Sequence, residues 1–253
     1  MEIPGSISSV EVNHYMKQWA GLFGAINVLN DHDYPYEIAH KILENHNAEV
    51  PGGYWNYEEE TGPLTINILL EEYNVIAISG WLKTNFSFIS KIISIGEWAV
   101  VYNLGAQVAI SIKGRLLIAA QAVDYHKNKK LYGNLLGKEH NCSIGAIALR
   151  MDKLPASSGF AENSCGYLPE DIHKPGNPFY RFTGIVMNHQ IIKSNSIGIE
   201  GYVIEMRLVS LPENENYFVV NMFLNKENLF YEDFKNGGRV SGIAMFQVSL
   251  EID

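Results

Sequence analysis

The chain has 253 residues, 47% of them hydrophobic, and a formal net charge of -9. That length can bury a large core, as one β-rich domain or two smaller ones, and the acidity argues against a surface built to neutralise phosphate backbones, so no nucleic-acid partner is expected. No run approaches the roughly eighteen apolar residues of a membrane span, and Met1-Glu-Ile-Pro-Gly-Ser6 has neither the basic nor the apolar part of a secretion signal, so the expectation is a cytoplasmic protein without membrane contact, with Cys142 and Cys165 as free thiols.

In chain order, Val12, Tyr15, Met16, Trp19, Phe23 and Ile26 recur at helical spacing, with Ser8-Ser-Val-Glu11 as a capping box ahead of them. A second helix is predicted from Tyr34 to Asn45, with Asp33 as N-cap, Pro35 in the first turn and Ile38, Ile42 and Leu43 on the buried side. Around this helical pair lie Asp31, His32, Asp33 and His40, side chains of the kind that zinc, iron or manganese accept. A metal-dependent hydrolase using them is one functional reading. His40 and His46 fall on different helix faces, however, and that favours caps and solvated ends, with no metal or cofactor expected. His140 with Cys142, and Asp171 with His173 near Cys165, also lack ligand spacing.

Residues 49–63 read as a Gly- and Pro-bounded loop carrying Tyr54, Trp55 and Tyr57 beside Glu58 and Glu59. Large aromatics are costly to leave in water, so the loop is expected either to fold back as a lid or to anchor a partner. From Leu64 the period becomes that of sheet: Leu64–Leu70, Asn74–Ser79, Phe86–Ile93, Trp98–Tyr102, Gln107–Ile112 and Arg115–Ala120 are predicted strands, with Lys113-Gly114 as a tight hairpin turn. The lysines at 127, 129 and 130 read as a solvated turn. Gly133-Asn-Leu-Leu-Gly-Lys138 fails as a phosphate loop, having three residues between its glycines and Glu139 after the lysine. Ser143–Met151 is a further strand, with Gly145 hinting at a bulge.

Residues 153–178, with four prolines and no periodicity, read as a linker or long loop between a 1–152 unit, a helix pair plus antiparallel β lobe, and a 179–253 antiparallel β module. In that module Tyr180–Asn188, Ile199–Ser210, Asn216–Leu224 and Arg239–Ile252 alternate as strands. With a curling glycine-bearing first strand, a long second one and a Gly-Arg-Val closure, it resembles a small Greek-key barrel of the oligonucleotide/oligosaccharide-binding type, or one half of a sandwich. Arg181, Arg207, Arg239 and Lys193 are scattered among acids, so the resemblance implies fold and not nucleic-acid binding.

The fold class expected is therefore α+β and β-dominated. No catalytic motif is present, which leans the reading away from an enzyme. The functional expectation is a non-enzymatic interaction protein of inhibitor or toxin-neutralising type, binding a basic protein partner through Tyr54, Trp55, Tyr57, Glu58 and Glu59 or through a sheet edge. The alternatives are the hydrolase above and a small-molecule carrier with a cavity in the β lobe. Apolar edge strands need cover, so a homodimer is expected.

Overall fold

The computed structural model describes residues 6–10, 15–24, 27–28, 31, 33–45, 54–71, 74–98, 105–154, 165–170, 178–194, 198–211, 214–231 and 234–252. Its thirteen strands are β1 (Ser6–Val10), β2 (Tyr54–Thr61), β3 (Leu64–Glu71), β4 (Asn74–Leu82), β5 (Ser87–Trp98), β6 (Ala106–Ile112), β7 (Leu116–Ala122), β8 (Glu139–Lys153), β9 (Gly166–Pro169), β10 (Phe179–Ser194), β11 (Ile199–Leu211), β12 (Asn214–Asn225) and β13 (Arg239–Leu250). Helices α1 (Tyr15–Phe23), α2 (Tyr34–Asn45) and α3 (Tyr125–Leu135) join them, with a 3-10 turn at Lys226–Asn228. The protein is α+β and β-dominated, with helices α1 and α2 near the N-terminus, between β1 and β2.

The large sheet closes on itself twice. β5 pairs antiparallel with β6 and β6 with β7, β7 lies parallel to β13, and β13 and β5 both pair antiparallel with β8, which completes a five-stranded barrel. In the same way β10 pairs with β11 and β11 with β12, β12 lies parallel to β8, and β8 returns through β13 to β10. Both rings have the Greek-key connectivity of small five-stranded barrels. Strands β8 and β13 belong to both rings. The C-terminal Greek-key module is thus present, but its closing parallel strand comes from β8, and β13 in turn closes the first barrel. Within residues 153–178, β9 lies on the edge of β10.

The repetition extends to register. Lys91 of β5 lies opposite Ser111 and Glu139 and just ahead of a bulge at Ile92/Ser94. Ile185 of β10 lies opposite Arg207 and Arg239 and just ahead of a bulge at Val186/Asn188. Inward positions carry matching apolar bulk, Phe88 with Phe182, Ile92 with Val186, and Ile110 with Met206, in one continuous buried core. At roughly 1.5 to 3 kcal/mol for each large buried side chain, this interior is the main source of stability.

A second core holds the N-terminal part on the outside of the second barrel. Sheet β2-β3-β4 and helices α1 and α2 bury Trp19, Leu22, Phe23, Ile38, Ile66 and Ile68 against Ile147, Phe223 and Met245. Trp19 Nε1 donates to the Ile78 carbonyl at 2.9 Å. α1 ends at Gly24, whose φ of 91° suits glycine, and its last carbonyls are taken up by the 3-10 turn: Asn225 Nδ2 donates to Leu22 O at 2.9 Å and Asn228 Nδ2 to Ala20 O at 2.8 Å.

Four expectations are corrected here. Ser8-Ser9 belong not to a helix cap but to β1, which pairs parallel with β5, so sheet pairing overrides the local capping signal. Residues 54–61 are not a loop: they form the full-length hairpin partner of β3, turned at Gly62 (φ 60°) and Pro63. Residues 127–130 lie within α3, which kinks at Asn128 (φ -118°, ψ 18°), and not in a simple turn. The bulge in β8 falls beside Ala148, between the partners of Ile243 and Ala244, and not at Gly145. The predicted strand Trp98–Tyr102 falls almost wholly outside the described residues; Trp98 ends β5. The Lys113-Gly114 turn is present, with φ of 49° and 66°.

Candidate functional site

The residues singled out around the helical pair stay apart. Asp31 Oδ1 accepts the Asp33 N–H at 2.9 Å, and Asp33 O accepts the Glu37 N–H at 3.0 Å, so both acids organise the start of α2. His40 is exposed on α2, and His32 lies outside the described residues. Among the described residues no group of three or more His, Cys, Asp and Glu is placed to hold a metal ion. His140 Nε2 sits 2.8 Å from the Glu251 carbonyl oxygen, on the first barrel, and Asp171 and His173 lie outside the described residues. For Tyr54, Trp55, Tyr57, Glu58 and Glu59 the backbone alone is described. It runs along β2, which pairs on one side only, with β3, among the described residues.

The geometry gathers a different set. On the outer face of the second barrel, adjacent strands lay down three rows of side chains, because residues opposite one another across a ladder share a face. The first row runs Arg150, Ile243, Arg181, Leu168 across β8, β13, β10 and β9. The second runs Asp152, Ser241, Thr183, and the third carries Arg239, Ile185 and Arg207. The first two rows line an open pocket of about 640 Å³ whose floor is largely apolar, with Tyr167 and Cys165 at its side.

Four of the chain's five arginines therefore stand in or next to one pocket, although the chain as a whole is acidic. Arg150 Nε donates to Asp152 Oδ2 at 2.6 Å, and its guanidinium lies 4.8 Å from the centre of the Phe230 ring. Arg181 is exposed at the rim. Across these three rows of described residues the four guanidiniums meet one carboxylate, that of Asp152. Burial pushes the Cys165 thiol up, while neighbouring Arg207, which also hydrogen-bonds it, and then Arg239 pull it back down. At the matching places of the first barrel stand Ser87, Ser111, Glu139 and Ser249. The fold does not require arginine there.

Sequence reasoning missed this set because the four lie far apart along the chain and converge only through strand pairing. The signal present was local: Arg150, Arg181 and Arg207 each sit between two apolar residues (Leu149 and Met151, Tyr180 and Phe182, Met206 and Leu208), the pattern of an outward cation on a strand with one buried face.

No protein-family model matches the chain, and no curated protein matches it. Among solved structures it is similar to the cytoplasmic molybdate-binding protein ModG, in its molybdate-bound form grown from PEG, at 16% identity and a TM-score of 0.32, over 67% of this chain and 99% of that one.

Proposed function

We propose that the protein is a non-enzymatic binding protein that seats a small acidic molecule with an apolar body in the pocket on its second barrel. The observation that carries this reading is the placement of four of five arginines on one face, Arg150 and Arg181 lining an apolar-floored pocket and Arg207 and Arg239 in the next row, in a chain of net charge -9. Such a site offers contact area to the body of a ligand and charge to its acidic end, the usual division in small-molecule pockets. A fluorescent anilinonaphthalene sulfonate, an aromatic body with one acidic group, is a suitable probe. One saturable site in the native protein, weakened about tenfold or more by Arg181→Glu, is expected. The absence of saturable binding, or equal binding by Arg181→Glu, would sink the reading.

A second reading is supported by the one-sided pairing of β2: strand addition by a basic protein segment along Tyr54, Trp55, Tyr57, Glu58 and Glu59. A lysine-rich extended peptide should bind with marked salt sensitivity and lose affinity in Glu58→Lys/Glu59→Lys. If light scattering shows a dimer and the peptide does not bind, the edge serves a second copy instead.

A further inference from the structure

Arg207 and Arg239 sit on either side of Ile185, on the two strands that flank β10. Ile185 is only 7% exposed, so the ground between the two guanidiniums is dry and aliphatic. Arg207 Nε and both Nε and Nη2 of Arg239 are buried and have no hydrogen-bond partner among the described residues. Arginine is a permanent cation, and a buried donor on a cation that meets neither water nor an acceptor is strongly disfavoured. Native proteins keep such groups where an acceptor arrives from elsewhere. The acid nearest along β11, Glu205, lines a separate polar recess with Asn188 and Asn221. The first barrel, with the same backbone, places Ser111 and Glu139 around Lys91, so neither arginine is there for the sake of the fold.

We propose that Arg207 and Arg239 form a subsite for one compact oxyanion group, a carboxylate, sulfonate or phosphoryl, which is the acidic end of the molecule held in the adjoining pocket; as to the rest of that molecule, the inference rests on the reading above. The planar guanidinium fork matches a pair of oxygens on one centre. Low local polarity over Ile185 strengthens the attraction relative to open water. Arg181 and Arg150, one row further along, then meet the part of the ligand nearer the rim.

The test uses the full chain with inorganic phosphate and sulfate, against chloride at matched ionic strength. Phosphate and sulfate should raise the melting temperature saturably and chloride should not. Arg207→Ser and Arg239→Glu, which import the residues of the first barrel, should weaken anion binding by about tenfold or more, and Arg239→Lys should retain part of it. As a second readout on unmodified protein, phosphate should slow alkylation of Cys165 several-fold, since Cys165 hydrogen-bonds Arg207 and feels the charge of Arg239. Should the variants fail to fold, this measurement decides. No saturable effect of either oxyanion, the same effect in Arg207→Ser, or no protection of Cys165 overturns the subsite. If the sulfonate probe binds and is lost only in Arg181→Glu, the pocket stands and the subsite falls. If phosphate binds through Arg207 and Arg239 while the probe does not bind, the subsite stands and the pocket reading falls.

Discussion

The two barrels share their closing strands, their connectivity and the position of a bulge, yet they differ in what closes them and in what they carry outside. The first is plugged by α3, where Tyr132 is fully buried and donates to Asp124 Oδ1 at 2.6 Å, while Asp124 Oδ2 takes the Asn128 amide at 2.8 Å and the Leu250 N–H at 3.1 Å. The second has, among the described residues, the 3-10 turn at the same point of its connectivity, and that turn serves α1 instead. Outside, serines and a glutamate stand on one barrel where arginines stand on the other. The interior apolar pattern sets the fold, and the outward positions, free of that duty, are where the two barrels differ.

The sharpest way to break the comparison is to import a twin residue where the two interiors differ. Cys142 faces Phe88 in the first barrel and Gly242 faces Phe182 in the second. A Cβ on Gly242 would collide with the Arg150 carbonyl oxygen and lie 3.0 Å from the Phe182 ring. Gly242→Cys is expected to cost about 3 kcal/mol through overpacking of a shared strand, seen as a melting temperature lower by about 10 °C. Unfolding that stays confined to the second barrel would show that sharing β13 does not couple the two.

Next in size are the closing devices. Tyr132→Phe should destabilise by about 1 to 2 kcal/mol, since it removes a buried hydrogen bond to a carboxylate, and Asn228→Ala by about 1 kcal/mol; chemical denaturation measures both. If Asn228→Ala cost more, the hold of the 3-10 turn on α1 would outweigh the plug of the first barrel.

What the sequence made legible follows from range. Alternating runs such as Ile199–Leu211 announce strands because each residue's burial is set by its immediate neighbours. The exchange of β8 and β13 between rings depends on pairings such as Asn221 with Gly145 and Gln247 with Gln121, distant in sequence, and no local pattern encodes it. Helix α3 was hidden because Tyr125 and Tyr132 are its only fully buried side chains, seven residues apart, with lysines and asparagines between them. The arginines were legible one at a time as outward cations, but their meeting was not.

A smaller effect concerns pH on the alkaline side. Burial pushes the Cys142 thiol up to about 12, with Asp124 adding to the shift. The folded state therefore holds this proton more tightly than the unfolded chain, so the stabilisation is complete below the thiol's ordinary value of 9.0 and is lost as pH rises toward about 12. Cys142→Ala should flatten the fall in stability over that window, and alkylation at pH 8 should modify Cys165 well before Cys142. Equal reactivity of the two thiols would contradict the burial of the first-barrel cysteine.

The smallest expected effect lies on the acid side, at the start of α3. Tyr125 OH donates to Glu97, whose second partner is Lys129 at 3.0 Å. The tyrosine hydrogen bond is the main cause holding the Glu97 carboxyl below its ordinary value of 4.5, against a partial opposing effect of burial, with Lys129 adding less. A depressed carboxyl contributes stability above its unfolded value and loses it as pH falls through the folded one, so the contribution fades below about pH 4.5. Glu97 is partly buried, but its partner Lys129 is about half exposed, so solvent screens the pair and keeps the effect small. Tyr125→Phe should therefore leave the protein nearly as stable at pH 3 as its parent and slightly less stable at pH 7. The second barrel has no helix here and no such pair among the described residues, so the acid dependence removed by Tyr125→Phe belongs to the first barrel's plug. An unchanged difference between pH 3 and pH 7 would place the acid-sensitive group elsewhere in the molecule.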